Sequence, residues 1–408
     1  MKKILTNLLL VAAFLSVMNA DGQTAYITNT NDNTVSVIDV ATNTVTDTII
    51  VGNRPMGVSV SADGSKVYIT NEIDHTISVI NAATNSVSAT IAVGNDPDGI
   101  VVSPDGSKVY IANANNGNVS VVDAINNTFI TSIQVGYQPI GITISPDGSK
   151  VYVANESSNT ISVINTTIND VSNTITVGNY PWGICISPDG TKLYVADEFD
   201  DSVVVINTAT NTISASIAVG NTPWGITISP DGSKVYVTNY ADSTVSVINT
   251  TTNTVTNTIL VGSDPWGISV TPDGSKVYVV NHLSNTVSVI DTLTNTVTAI
   301  IAVGTNPVSF GNFISTYNMT TGLVSTRTEP PSISIFPNPA TNQLTISLPA
   351  TNIKSCTINL YDMLGEKVLT QTLNLKLETL NISSLPQGIY FLEVLMDNEK
   401  VVRKVVKL

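Results

Sequence analysis

The stretch SPDGSKVYVTN, Ser229–Asn239, recurs in close copies along most of this 408-residue chain. Its tyrosine belongs to a column, Tyr26, Tyr68, Tyr110, Tyr152, Tyr194, Tyr236 and Tyr278, whose members stand 42 positions apart without insertion. Pro55, Pro97, Pro139, Pro181, Pro223, Pro265 and Pro307 keep the same step. A fixed period of this size marks a repeat architecture, each unit being one supersecondary element that buries its faces on its neighbours.

One unit, Asn221 to Gly262, resolves into four short strands. TPWGITIS begins at Pro223, SPDG turns, and KVYVTN, STVSVIN and TNTVTNTILVG follow. Runs of Val, Ile, Thr and Tyr bounded by Gly, Pro, Asn and Asp are strand signals. Four antiparallel strands in such a repeat predict one propeller blade. The first three strands are apolar or small on both parities, as blades packed on both faces require. Gly225 and Thr227 keep one parity of the first strand small for the crowded axis, and the fourth strand alternates Thr or Asn with Val or Ile, as an outer edge should. In SPDG, Pro presets φ and Gly supplies a left-handed residue. The recurring stretch is therefore a turn and not an active site, with Lys234 expected to form a solvated pair with Asp231.

The first copy, at Ala25, lacks a preceding strand, and Pro307-Val308-Ser309-Phe310 continues the proline series without a following SPDG. A three-strand N-terminal piece completed by that C-terminal strand closes a ring of seven, with Ala25 expected to meet Phe310. The copies YITN, YIAN, YVAN, YVAD, YVTN and YVVN with their SPDG turns resemble the YVTN family of seven-bladed β-propellers over residues 22–316. That resemblance implies the fold and leaves function open, since the family includes surface-layer proteins alongside relatives of enzyme domains.

The ends read differently. Lys2 and Lys3, the apolar run Leu8 to Val17 and the small Ala20 form a secretory signal over residues 1–20. No later segment approaches the roughly 18 apolar residues of a membrane helix. Residues 317–332, with Pro330-Pro331, read as a linker. Residues 333–408 carry short alternating strands expected to form a small Ig-like sandwich, so the fold class is all-β throughout. This tail resembles the C-terminal sorting domain (type A) of the bacterial type IX secretion system. The matching residues are Pro337, Asn338 and Pro339, Tyr361-Asp362 with Leu364-Gly365, the run Leu385 to Tyr390 that includes Gly388, and the basic end with Lys404 and Lys407. The resemblance implies contact with the outer-membrane secretion machinery, then release or attachment outside the cell, usually with removal of the tail.

Function is expected on the face where the loops vary. Loops between blades and those joining the second and third strands lie there, while the uniform SPDG turns lie opposite, and recognition favours variable loops on a rigid scaffold. The interblade loops place Trp182, Trp224 and Trp266 on three adjacent blades with Tyr180 nearby. These rings either pack between blades or stack on a sugar, a flat ligand or a cation. Between the signal and the linker there are 24 Asp/Glu against 7 Lys/Arg. Six of those bases are the turn lysines, which leaves Arg54 on the variable face among many acids, Asp96, Asp98 and Asp264 beside the interblade prolines. A field of that sign repels nucleic acid and attracts cations or basic peptides.

No cofactor is expected. The densest acidic run, Asp197, Glu198, Asp200 and Asp201, is either a solvated loop or a weak Ca²⁺ site, since oxygen ligands suit that ion. His75 and His282 fall on blades too far apart to share a metal and read as surface residues. Cys185 and Cys356 lie in different domains and read as small buried residues. The expected function is an exported binding or adhesion module whose variable face grips an extracellular glycan or protein. The alternatives are an extracellular lyase, lactonase or glycosidase using Asp98 as acid or base, or a surface-layer component.

Overall fold

The structure is a computed structural model that describes residues 23–315, 334–336, 340–347, 356–362, 367–373, 377–396 and 399–407. The signal, the linker and the sorting-motif residues Pro337, Asn338, Pro339 and Gly365 lie outside them. The chain divides into two units, Met1–Thr321 and Gly322–Leu408.

The first unit is a ring of antiparallel sheets. Blades 1 to 6 each have four strands in sequential order and open at Pro55, Pro97, Pro139, Pro181, Pro223 and Pro265. Blade 7 is the three-stranded N-terminal sheet Thr24–Asn29, Thr34–Asp39 and Thr44–Ile50. The C-terminal segment completes it as expected, through bridges Asn29↔Pro307 and Ala25↔Ile314 and a bond from Tyr26 N to Phe313 O of 2.9 Å. Ala25 therefore meets Ile314 and not Phe310. Inner strands elsewhere carry a one-residue bulge just after the proline, between Pro223 and Ile226 in blade 5 for instance. The closing segment bulges by two residues more, which frees Phe310 to bridge Gly57 of blade 1 and accept from Val58 N at its carbonyl at 2.7 Å.

The core lies between blades. Tyr194, Val203, Val205 and Ile217 of blade 4 pack on Ile226, Val235, Val237 and Ile248 of blade 5, all buried, and the pattern repeats around the ring. The seven column tyrosines are among the largest fully buried side chains. Outer strands are exposed except at one position near their ends, in line with their polar alternation.

The recurring turn is a hydrogen-bonded knot. Asp231 accepts from Ser229 Oγ at 2.6 Å and from Ser233 N at 3.0 Å, and Ser229 Oγ accepts from Lys234 N at 2.9 Å. These bonds, the Ser229 hydroxyl foremost, hold the exposed Asp231 carboxyl below its usual range. The expected Lys234–Asp231 pair does not form. Lys234 Nζ reaches Thr292 O of the next blade at 2.9 Å, and Lys66, Lys108, Lys192 and Lys276 make the same step to Ala124, Thr166, Thr250 and Val40. With every Asp oxygen already engaged by hydroxyls, the ammonium finds its acceptor across the blade boundary. Lys234→Met should therefore cost about 1 kcal/mol in a denaturant melt, whereas a solvated pair would leave the midpoint unmoved.

The second unit holds two small sheets. Ser334–Phe336, Gln343–Ser347 and Leu377–Asn381 form one; Lys367–Leu373, Cys356–Tyr361, Gly388–Met396 and Glu399–Lys407 form the other. Leu344, Ile346, Ile358, Leu360, Leu392, Val394 and Val405 make its core. Gly388 pairs with Lys407 and Phe391 with Lys404. The Tyr390 hydroxyl donates to Pro386 O at 2.8 Å.

Candidate functional site

Three residue columns converge at the mouth of the channel on the variable face. The residues before each proline, Arg54, Asp96, Gln138, Tyr180, Thr222, Asp264 and Asn306, all have φ between 48° and 60°. Each offers its carbonyl to the backbone N–H of the residue that follows the second strand of a blade: Glu72, Ala114, Glu156, Glu198, Tyr240, His282 and Thr30 in order, as in Tyr240 N to Thr222 O at 2.9 Å and His282 N to Asp264 O at 2.9 Å. The residues after each proline, Met56, Asp98, Ile140, Trp182, Trp224, Trp266 and Val308, stand at the bulge of the inner strand, a device that re-aims a side chain. The predicted pairing of interblade and second-to-third loops on one face thus has a specific backbone bond behind it.

One side of the mouth is aromatic. Trp182 stacks on Trp224 at 5.0 Å, Trp224 on Tyr240 at 4.1 Å, and Trp266 meets Trp224 edge-on at 4.5 Å. Trp266 also stacks on His282 at 4.7 Å and on Phe310 at 5.5 Å. All three tryptophans are half-buried. The indole N–H groups of Trp182, Trp224 and Trp266 are shielded from solvent and none makes a hydrogen bond of ordinary geometry in the protein. His282 is a member of this wall and not the free surface histidine the sequence suggested. Its Nδ1–H donates to Pro307 O at 3.2 Å while Nε2 accepts from Asn306 Nδ2 at 3.1 Å, and burial lowers its pKa, so the ring is neutral. Tyr180 turns away from the tryptophans to pack on Phe199 at 4.4 Å.

The other side is acidic. Asp98 is 8% exposed, and desolvation, aided by Glu72, pushes its pKa up to about 8 against the pull of Arg54. Glu156 is equally buried and reaches about 7 through desolvation and Glu198. Burial raises Glu72 and Glu198 as well, the latter opposed by the Trp224 indole N–H. Arg54 is engaged by Glu72 at 2.8 Å. Asp96 lies 3.8 Å from His75 and accepts from Asn115, and Asp264 sits against the Tyr240 hydroxyl, raising that phenol's pKa after burial.

The acidic run does not act as one group. Asp197 ends the second strand of blade 4, where the other blades have Asn, and is fully buried with no hydrogen bond of ordinary geometry at either oxygen; desolvation first and Asp200 second lift it to about 7 against the pull of the Gly178 N–H. Asp200 caps Asn179 N at 2.9 Å, Asp201 accepts from Thr222 N at 2.8 Å, and Glu198 points to Trp224. Among the described residues no group of three or more His, Cys, Asp or Glu side chains has a metal-holding arrangement.

Below the mouth the channel narrows to a chamber of about 50 Å³ lined by Ile140, Trp182 and Phe310 above a ring of isoleucines. The same Ile100, Ile142, Ile184, Ile226 and Ile268 also cap a funnel of about 430 Å³ that opens among Pro230 and Pro272 on the SPDG face. Cys185 lines that funnel as a free thiol whose pKa burial raises, which leaves it unreactive.

A closed ring of seven blades with an aromatic and acidic mouth, followed in the chain by a small all-β unit, defines a seven-bladed β-propeller protein with a separate C-terminal β domain. The YNCE-like beta-propeller family matches residues 4–115, 57–147 and 230–311, together more than half of the sequence, and the chain belongs to that family. The secretion system C-terminal sorting domain matches residues 334–408, and the 7-bladed lactonase propeller family matches 132–216. The tail marks the chain for export to the cell surface or beyond, and among the described residues no helix is long and apolar enough to cross a membrane. No curated protein sequence matches closely enough to count as a relative. Among solved structures, Kuenenia stuttgartiensis hydrazine synthase superposes with a TM-score of 0.62 at 22% identity, over 67% of this chain and 93% of that one. A protein of unknown function from Desulfotomaculum acetoxidans superposes with a TM-score of 0.62 at 20% identity, over 71% of this chain and 99% of that one. At such identities the likeness concerns the fold alone.

Proposed function

We propose that the propeller is an extracellular binding or adhesion module that grips a glycan or protein ligand at the variable mouth. The observation that carries this reading is the half-buried aromatic wall of Trp182, Trp224 and Trp266, gathered on three adjacent blades at the channel mouth. Ring faces left half-exposed at a channel mouth offer a rigid platform on which the apolar face of a sugar or a side chain stacks. Binding of the full chain to glycan and protein arrays, with and without Ca²⁺, tests the reading. The Ca²⁺ arm also tests an ion held between Asp197 and Asp200, which face one another across Gly178. Trp224→Ala should weaken the captured ligand roughly tenfold or more while leaving the circular dichroism spectrum unchanged. Equal binding by the Trp182, Trp224 and Trp266 alanine variants removes the mouth from consideration, and an absence of ligands favours a structural role in a surface layer.

A second reading has one observation of its own. Asp98, protonated near neutrality beside the ionisable Glu72 and Asp96, has the character of a general acid. Turnover of lyase, lactonase or glycosidase substrates that disappears in Asp98→Asn would establish it; no turnover across such panels ends it.

A further inference from the structure

The acidic side of the mouth has a feature that binding through the aromatic wall alone leaves unused. Asp98 and Glu156 are both nine-tenths buried, and among the described residues no protein hydrogen bond reaches either carboxyl. Asp98 borders the mouth in the ring of residues that includes the tryptophans, and Glu156 in the ring that includes Tyr240 and His282. Buried acids are normally paired or hydrogen-bonded. The basic group on this face, Arg54, is already held by Glu72, and the lysines of the SPDG turns lie on the opposite face, five of the six bonded to the next blade.

We propose that the mouth is built for an organic cation, a protonated amine or guanidinium whose charged head sits between Asp98 and Glu156 and whose apolar body lies on the Trp182–Trp224–Trp266 wall. The proposal rests on the ligand-binding reading of the mouth and names the chemistry of the group that enters it. A cation over an indole face gains from the ring quadrupole, most when water is excluded, and a cation beside a buried carboxyl favours its ionised form. The groups that set Asp98 are Glu72, Asp96 and Glu156 against it and Arg54 for it, and Glu198 acts on Glu156. All of these except Arg54 disfavour ionisation until a positive charge arrives. Binding therefore expels protons from the site, and affinity rises as the solution pH removes them beforehand.

The experiment is calorimetry on the full chain with arginine methyl ester, 1,5-diaminopentane and glucosamine, the last two each beside a neutral counterpart: 1,5-pentanediol for the diamine, N-acetylglucosamine for the amino sugar. Titrations are run at pH 6.0 and 7.0, where the probes keep a positive charge, in two buffers of different ionisation enthalpy. The expected result is that a cationic probe binds and its counterpart does not, with net proton release at pH 6.0 and about tenfold tighter binding at pH 7.0. Asp98→Asn should abolish most of that pH dependence, and the surface control Asp47→Asn should not. Which probe binds separates a basic peptide side chain from an amino sugar or a small amine. Neutral counterparts that bind as tightly, in a Trp224-dependent manner, overturn this inference and leave the binding mouth standing. Cation binding indifferent to both Trp224→Ala and Asp98→Asn overturns both, and so does an absence of binding by every probe, charged or neutral.

Discussion

Gly225→Ala should destabilise the propeller by about 3 kcal/mol or more. A methyl group built on Gly225 would stand 2.1 Å from the carbonyl oxygen of Trp266 in the next blade, 3.1 Å from Thr238 Oγ1 and 3.2 Å from Ile268 Cγ2. The nearest of these atoms is backbone, fixed by its own sheet, so relief requires moving one blade relative to another. The same clash recurs around the axis: Gly57 faces Asp98 O at 2.2 Å, and Gly99, Gly141 and Gly183 face Ile140, Trp182 and Trp224 oxygens at 2.1 Å. These glycines set how closely seven inner strands can converge, and Thr238 Oγ1 completes the joint by accepting from Gly225 N at 2.8 Å and donating to Trp266 O at 3.0 Å. The contrast is Gly106, with φ of +70° and open space around its missing Cβ. There alanine meets only the left-handed backbone penalty, about 1 kcal/mol. Thermal melts followed by tryptophan fluorescence report on the ring alone, because all three tryptophans lie in it. A Gly225→Ala protein that melts with Gly106→Ala would mean the blades slide past one another freely.

That crowding also explains what could be read in advance. The 42-residue step of Tyr and Pro shows through because six blades repeat one packing unit without insertion, and the small residues of the inner strand announce where blades touch. The aromatic wall was legible only in part. The tryptophans share a column beside the prolines, but Tyr240 and His282 reach them through the carbonyls of Thr222 and Asp264, a loop-to-loop bond with no local pattern. Reading the residue just after the column asparagine down the seven repeats, Thr30, Glu72, Ala114, Glu156, Glu198, Tyr240 and His282, is the signal that would have found them. Phe310 was misplaced because the proline period runs on through Pro307, with no SPDG turn afterwards to show that the closing segment is two residues longer. In sequence Asp197 belongs to an acidic run, yet in the fold it occupies the buried asparagine column. In blade 5 the equivalent Asn239 donates to Thr244 and Ser246 hydroxyls at 2.9 Å. In blade 4 Val204 stands at the position of that serine, so Asp197 has lost a partner as well as an amide.

The propeller should lose stability as pH rises from 5 to 8.5, and Asp98→Asn should remove much of the loss. Asp98 titrates near 4 in an unfolded chain and at about 8 in the folded one, where desolvation and then Glu72 oppose its charge. Across the interval between those values the folded state binds the extra proton. The linkage sign then makes stability fall with pH: the advantage of the protonated form is complete below pH 4 and gone above pH 8. A shift of this size corresponds to about 5 kcal/mol at the upper bound, at 1.36 kcal/mol for each pKa step. Asp197, raised to about 7, adds to the same slope. The SPDG aspartates have the opposite sign, since their hydroxyl and backbone bonds lower them. Their contribution is lost below pH 4, outside the measured window. At pH 5 Asp98→Asn exchanges one neutral buried group for another and should sit within about 1 kcal/mol of the parent. At pH 8.5 it should be the more stable protein by several kcal/mol, with the two denaturation midpoints crossing between. Midpoints that stay flat or rise over this range, or an Asp98→Asn curve parallel to the parent, would show that the carboxyl is ionised and accommodated in the fold.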